Sequence, residues 1–167
     1  MDGKVIVVTG ALGALGRVVV DSALARGARV ASVDHAPTQV PATSNQFELG
    51  GVDLTDATAA KKAIDAAVSH FGRLDALINV APPDPTRYLI AVRDGGVAVS
   101  VTSPAEAERG IRSQRVGVNV DREGLETVAR LAEEGVLTTR VAATFPAASA
   151  ADAYRADASD GRIVLTF

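Results

Sequence analysis

The residues best placed to do chemistry lie in the first 34 positions. Gly10, Gly13 and Gly16 recur every third residue, between an apolar run at 4–9 and a helix-forming stretch that starts near Arg17. Glycine at the first position admits the positive φ that a tight turn can need. At the second, the missing side chain lets a pyrophosphate approach the backbone. At the third, it lets the following helix pack closely on the first strand. The N–H groups at that helix start then face the phosphates. Leu12 and Leu15 lie between the glycines and count with them as cofactor-binding positions. Asp34 stands 24 residues after Gly10, at the end of a second apolar run. A carboxylate there accepts hydrogen bonds from an adenosine ribose 2′-hydroxyl and repels a 2′-phosphate, which selects NAD(H) over NADP(H). The alternative for Asp34 is a solvated strand end.

These groups need elements to hold them. Residues 4–9 read as a strand buried on both faces, because the apolar run does not alternate. A helix over 17–26 ends at Gly27. Residues 28–34 form a second strand, 35–45 a polar loop and 47–53 a third strand. Thr55 is the expected cap of a helix running to His70, which Gly72 stops. The fourth strand covers 74–80. Pro82, Pro83 and Pro85 break the rhythm. A short helix over 86–93, a strand over 97–102, a short helix over 104–112 and a sixth strand over 116–120 follow. Asp121 caps a helix closed by Gly135. Strands over 141–145 and 162–167 flank a small helix over 149–158.

Alternating strands and helices imply right-handed crossovers and a parallel sheet. The expected fold is a Rossmann-like α/β class, a three-layer α/β/α sandwich. Its mostly parallel sheet has the order 3-2-1-4-5-6, with extra C-terminal strands extending it or forming a homodimer contact. One domain over 1–167 is expected.

The 167 residues suit one domain and are short for an enzyme with separate cofactor and substrate domains. A net charge of -3 argues against a nucleic-acid footprint. The absence of cysteine excludes disulfides, thiolate metal sites and a cysteine nucleophile, and fits a reducing cytoplasm. No apolar run reaches membrane-span length, and the Met1-Asp2-Gly3-Lys4 start reads as leaderless. No metal-ligating cluster stands out.

With these residues in place, the first half resembles the short-chain dehydrogenase/reductase family. Thr9-Gly10-x-x-Gly13-x-x-Gly16 is one form of its cofactor loop, although Ala14 stands where many members carry glycine. Asp53-Leu54 resembles the family's adenine-contacting pair. The run from Phe71 through Asn79-Val80-Ala81 resembles its fourth strand, with Asn79 and Ala81 matching and Val80 and Pro82 departing. The resemblance implies that Asp53, Leu54, Asn79 and Ala81 join the cofactor site. It also implies a Tyr-x-x-x-Lys pair for proton transfer. Here Tyr88 is followed four residues on by Val92, Tyr154 by Ala158, and no lysine occurs after Lys62.

From residue 82 the chain is similar to the late cofactor domain and C-terminus of medium-chain, quinone oxidoreductase-like reductases. The similarity rests on Val92-Arg93-Asp94-Gly95-Gly96-Val97, the Leu125 to Leu137 pattern, Phe145-Pro146 and the last strand. The chain thus reads as two halves, 1–81 and 82–167, joined near Ala81-Pro82 as a recombinant or designed chimera.

The preferred reading is a Rossmann module that binds NAD and lacks a catalytic apparatus. The alternative is a reductase moving hydride from NAD(P)H to a quinone or carbonyl compound. Tyr88 is its candidate acid, with a packing role as the competing reading. Thr102 and Ser103 either reach the nicotinamide end or serve as loop and cap. His35 and His70 lie poorly for proton transfer.

Overall fold

The computed structural model describes residues 1–81, 85–104, 106, 108–117, 121–156, 158 and 161–167. The contacts group into two compact units, Met1–Val118 and Asn119–Phe167, where the sequence reading has one domain.

In the first unit, six parallel strands lie in the expected order β3-β2-β1-β4-β5-β6. They are β1 (Val5–Thr9), β2 (Arg29–Val33), β3 (Gln46–Leu49), β4 (Ala76–Asn79), β5 (Val97–Ser100) and β6 (Arg112–Arg115). Every residue of β1 is buried, because both of its faces are covered. Val5 and Val7 pack with Ile64, Ala67 and Phe71 of helix α2 (Ala57–Phe71). Ile6 and Val8 pack with Val20 and Ala23 of helix α1 (Ala14–Ala25). The unbroken apolar run is thus the product of two helical layers. Thr9 is level with Val33 of β2 and Asn79 of β4, and Asn79 with Ser100 of β5. The strand ends are therefore flush, and the chain reverses its direction across the sheet between β1 and β4.

The opposite end of the sheet is pinned by Asp75, whose side chain is 6% exposed. One carboxylate oxygen accepts from Val5 N at 2.9 Å and Arg73 Nε at 2.9 Å, the other from Arg93 Nε at 2.6 Å. Burial pushes this carboxyl up. The Val5 N–H and the two guanidiniums outweigh burial and hold it at about 2.

Several expected boundaries move. Asp56, not Thr55, caps α2, accepting from Thr58 N at 2.7 Å and Ala59 N at 3.3 Å. Gly72 closes α2 with φ +81. The expected helix over 86–93 is a 3-10 helix, Pro85–Ala91. No helix forms among the described residues of 104–112. Arg109 adopts φ +56 there, which no helix accommodates. Its guanidinium holds the turn by donating to Leu89 O, Val92 O and Asp94.

The sixth strand is 112–115 rather than 116–120. Its backbone pairs from Arg112 N to Gly96 O and ends at Val116 N to Ser100 O. As an uncovered edge strand it is exposed throughout, so apolarity misplaces it. Residues 118–120 of that expectation, the Pro82–Pro83 part of the proline break and Asp157 of the last expected helix lie outside the described residues.

The second unit holds α3 (Arg122–Glu133), β7 (Val141–Pro146), a 3-10 turn at Ala147–Ser149, α4 (Ala150–Arg155) and β8 (Arg162–Thr166). Asp121 caps α3 by accepting from Glu123 N. β7 and β8 pair in parallel in a two-stranded sheet of their own, so they do not extend the main sheet as expected. None of the residues of α3 is buried.

Candidate functional site

The three glycines between β1 and α1 answer to different demands. Gly10 has φ +70, and a Cβ there would come within 2.8 Å of Ala81 Cβ. Its N–H donates to Val33 O at 2.9 Å, tying the turn to the end of β2. At Gly16 a Cβ would overlap Gly10 O and lie 2.7 Å from Ala11 Cα. The close packing that this glycine permits is therefore of α1 on its own entering loop. Gly13 differs from both. It caps α1 with φ −71 and ψ 170, which any residue adopts, and a Cβ would only touch Gly10 O at 3.5 Å. No side chain caps α1 and no acidic residue stands in its first turn. Its positive end therefore keeps the capacity to receive an anion. Leu15 is half exposed in that turn.

Asp34 follows β2 and is half-buried. Its carboxylate accepts from Leu12 N at 2.8 Å through one oxygen and from Ala36 N at 3.0 Å through the other. Asp34 is thus a clamp on the glycine loop. Each oxygen keeps a further lone pair. Sequence reasoning misses the residues that extend this clamp. Arg17 Nε donates to Leu12 O at 2.7 Å and its Nη2 to Gln39 Oε1 at 3.0 Å. Glu48 Oε2 accepts from the N–H groups of Gln39 and Val40. The one sequence signal for Arg17 is its place directly after the third glycine, a turn beyond Leu12.

Asn79 is fully buried. Its Oδ1 accepts from Thr9 Oγ1 at 2.5 Å, and its Nδ2 donates to Ser100 Oγ at 3.3 Å and Thr102 Oγ1 at 2.9 Å. The amide bridges three strand ends. Thr102 joins that network through Asn79 and Ser100. The structure brings together Gly10, Asn79, Ala81 and Thr102 in this way. Ser103 follows Thr102 in a half-buried bend.

Asp53 stands apart on the surface, its carboxylate accepting from Thr55 Oγ1 at 2.7 Å and Thr55 N at 2.8 Å. Those two bonds, the hydroxyl first, hold it below its ordinary value. Leu54 is buried, and its carbonyl accepts from Tyr88 Oη at 3.0 Å.

Tyr88 is 2% exposed and belongs to the core cluster with α2. Burial pushes its hydroxyl above the ordinary phenol value. The structure thus favours the packing role over the acid. His35 is exposed in its loop. His70 stacks on Phe47 with ring centroids 4.4 Å apart, and its Nε2 lies 3.1 Å from Thr43 O. Among the described residues no group of three histidine or acidic side chains could hold a metal, and no helix is long and apolar enough to cross a membrane.

A family model described as short chain dehydrogenase matches residues 4–88. The match runs past Ala81 and through Tyr88, further than the resemblance read from the motifs. A short chain dehydrogenase, andC, from Emericella variicolor is 40% identical over 83 residues, covering 48% of this chain and 33% of that protein. The short-chain dehydrogenase/reductase olcF from Penicillium canescens is 35% identical over 124 residues, covering 66% and 46%. The chain therefore spans between a third and a half of the length of these relatives. An alcohol dehydrogenase superfamily protein from Novosphingobium aromaticivorans shares the fold, with a TM-score of 0.54 and 19% identity over 100% of this chain and 57% of that one.

Proposed function

The chain belongs to the short chain dehydrogenase family, and from that premise we propose that its first unit binds a nicotinamide dinucleotide at the C-terminal ends of β1, β2 and β4. The carrying observation is Gly13, where neither the backbone angles nor any neighbour requires glycine. A ligand lying against the loop would require it. Gly10 and Gly16 shape the loop, and the uncapped start of α1 offers the phosphates N–H donors. Leu12 and Leu15 flank that surface, and Asp53, Leu54, Ala81 and Thr102 are its further proposed contacts. Asn79 acts one layer below, by holding three strand ends together. The bound nicotinamide would supply hydride chemistry.

Asp34 sets the preference for NAD(H) over NADP(H). Its free lone pairs suit ribose hydroxyls, and its charge opposes a 2′-phosphate. Fluorescence titration tests both points. NADH is expected to bind at least tenfold more tightly than NADPH. Asp34→Arg is expected to erase that difference. No binding of either at millimolar concentration would overturn the proposal.

A second reading, a reductase acting on a quinone or carbonyl compound, is favoured by the family's description as dehydrogenases. The buried Tyr88 hydroxyl weighs against Tyr88 as its acid. Turnover of a simple quinone or aldehyde with NADH would reverse that ranking.

We also propose that the later part of the chain has a medium-chain reductase-like origin, by recombination or design. In support stand the Val92-Arg93-Asp94-Gly95-Gly96-Val97 run and the Phe145-Pro146 pair. The exposed Val141, Leu165 and Phe167 support a homodimer through the second unit. The lack of cysteine supports a cytoplasmic setting.

A further inference from the structure

We propose that the first unit carries a second small-molecule site, a polar chamber on the α1 face of β2 and β3 that takes a compact polyol. It borders the proposed dinucleotide loop at Leu12, but its argument does not rest on the dinucleotide reading. A right-handed crossover carries the β2–β3 connection over the α1 face. That connection, residues 34–45, holds no helix. A cavity of about 190 Å³ lies there, lined by residues of α1, of both strands and of the connection itself.

The strand positions that line it are polar. Ser32 of β2 is level with Glu48 of β3, and Val30 with Gln46. A strand face meant to lie under a helix would be apolar. Ser32 is 1% exposed, and its hydroxyl is the single buried side-chain polar atom among the described residues without a hydrogen-bond partner. A buried hydroxyl left unpaired is costly, and native structures seldom tolerate it without a ligand or water.

The surrounding hydrogen-bonding capacity selects the ligand class. Arg17 is engaged by Leu12 O and Gln39. Glu48 commits one oxygen to the N–H groups of Gln39 and Val40 and keeps the other. Asp21, also on the wall, brings a second carboxylate. The remaining N–H groups of Arg17 and the amides of Gln39 and Gln46 can donate, while the free oxygens of Glu48 and Asp21 accept, so the ligand must both donate and accept. The two carboxylates repel phosphate and carboxylate ligands. A neutral chain of hydroxyls satisfies these conditions, and the volume suits a polyol of about five carbons, with water at about 30 Å³ per molecule as the scale.

The probe is xylitol, followed by amide chemical shifts in NMR spectra of the full chain. Saturable shifts are expected at Ser32, Gln39 and Glu48. Sucrose, too large for the chamber, is expected to give none. Ser32→Val removes the hydroxyl and projects a larger apolar side chain into the chamber, and is expected to weaken xylitol at least tenfold. Ser32→Ala, which keeps the space and removes the hydroxyl, is expected to weaken it several-fold and serves if the valine variant does not fold. Gly13→Ala is expected to lose NADH and keep the xylitol shifts. Shifts that grow linearly without saturating, or that persist in both Ser32 variants, mean that the chamber holds solvent only and overturn the proposal. Shifts lost with Gly13→Ala would assign xylitol to the dinucleotide crevice and overturn it as well.

Discussion

Replacing Gly13 and Gly16 by alanine, one at a time, separates a glycine kept for a ligand from a glycine kept for the fold. At Gly13 the new methyl meets Gly10 O at 3.5 Å, an ordinary contact, and φ −71 costs alanine nothing. The remaining penalty is the small preference for glycine over alanine at a helix N-cap, which gains in unfolded-state entropy partly offset. The net change in stability should lie within about 1 kcal/mol. At Gly16 the methyl overlaps Gly10 O and sits 2.7 Å from Ala11 Cα, both backbone atoms of the same turn. The clash is relieved only by shifting the start of α1 away from its entering loop, against the burial of Val20 and Ala23. Overpacking of this kind costs about 1–3 kcal/mol, and backbone contact places it at or above the upper end. Denaturant unfolding measures both changes, and NADH fluorescence titration follows binding. The expected pattern is a stable Gly13→Ala that has lost at least tenfold in NADH affinity, beside a Gly16→Ala destabilised by about 3 kcal/mol. Equal destabilisation of the two variants would refute the division of the glycines. A Gly13→Ala that binds NADH as the parent does would refute the ligand's claim on that position.

The Asp75 carboxyl is depressed from 3.8 to about 2, which contributes about 2 kcal/mol at neutral pH at 1.36 kcal/mol per unit. Because the folded value is the lower one, that stability is complete above pH 4 and lost as pH falls through about 2. Unfolding of Asp75→Asn should therefore show a gap of about 2 kcal/mol from the parent at pH 7 that closes towards pH 2. A gap independent of pH would contradict the assignment. Tyr88→Phe removes the bond to the buried Leu54 carbonyl. It should cost about 1 kcal/mol in unfolding free energy and leave NADH affinity unchanged. A change in affinity without a change in stability would move Tyr88 into the site.

The sequence made most legible those features that depend on neighbours close along the chain. The run at β1, the turn at Gly10 and the stop at Gly72 each follow from a few adjacent residues. They stand where expected. The cap of α2 went to Asp56 because Asp53 captures the Thr55 hydroxyl, a contact between two adequate capping residues that composition cannot rank. The sixth strand was illegible for a different reason. An edge strand without a covering layer has no apolar face to advertise, so Val116 to Val120 looked like the better strand while Arg112–Arg115 made the bonds.

The candidate site shows the same division at the level of single groups. Type and place single out Asp34 and Asn79, and both lie at the strand ends. Yet Asn79 spends its amide on Thr9, Ser100 and Thr102, and Asp34 spends a lone pair of each oxygen on Leu12 and Ala36. A residue type announces what a group can bind and not what has already bound it. Gly13 is informative for the opposite reason. Its surroundings leave it unexplained, so its identity carries information about something outside the chain. Ser32 has the same standing among the buried polar groups, a hydroxyl for which the fold supplies no partner. Positions that the protein's own packing fails to account for are where a ligand has the strongest physical claim.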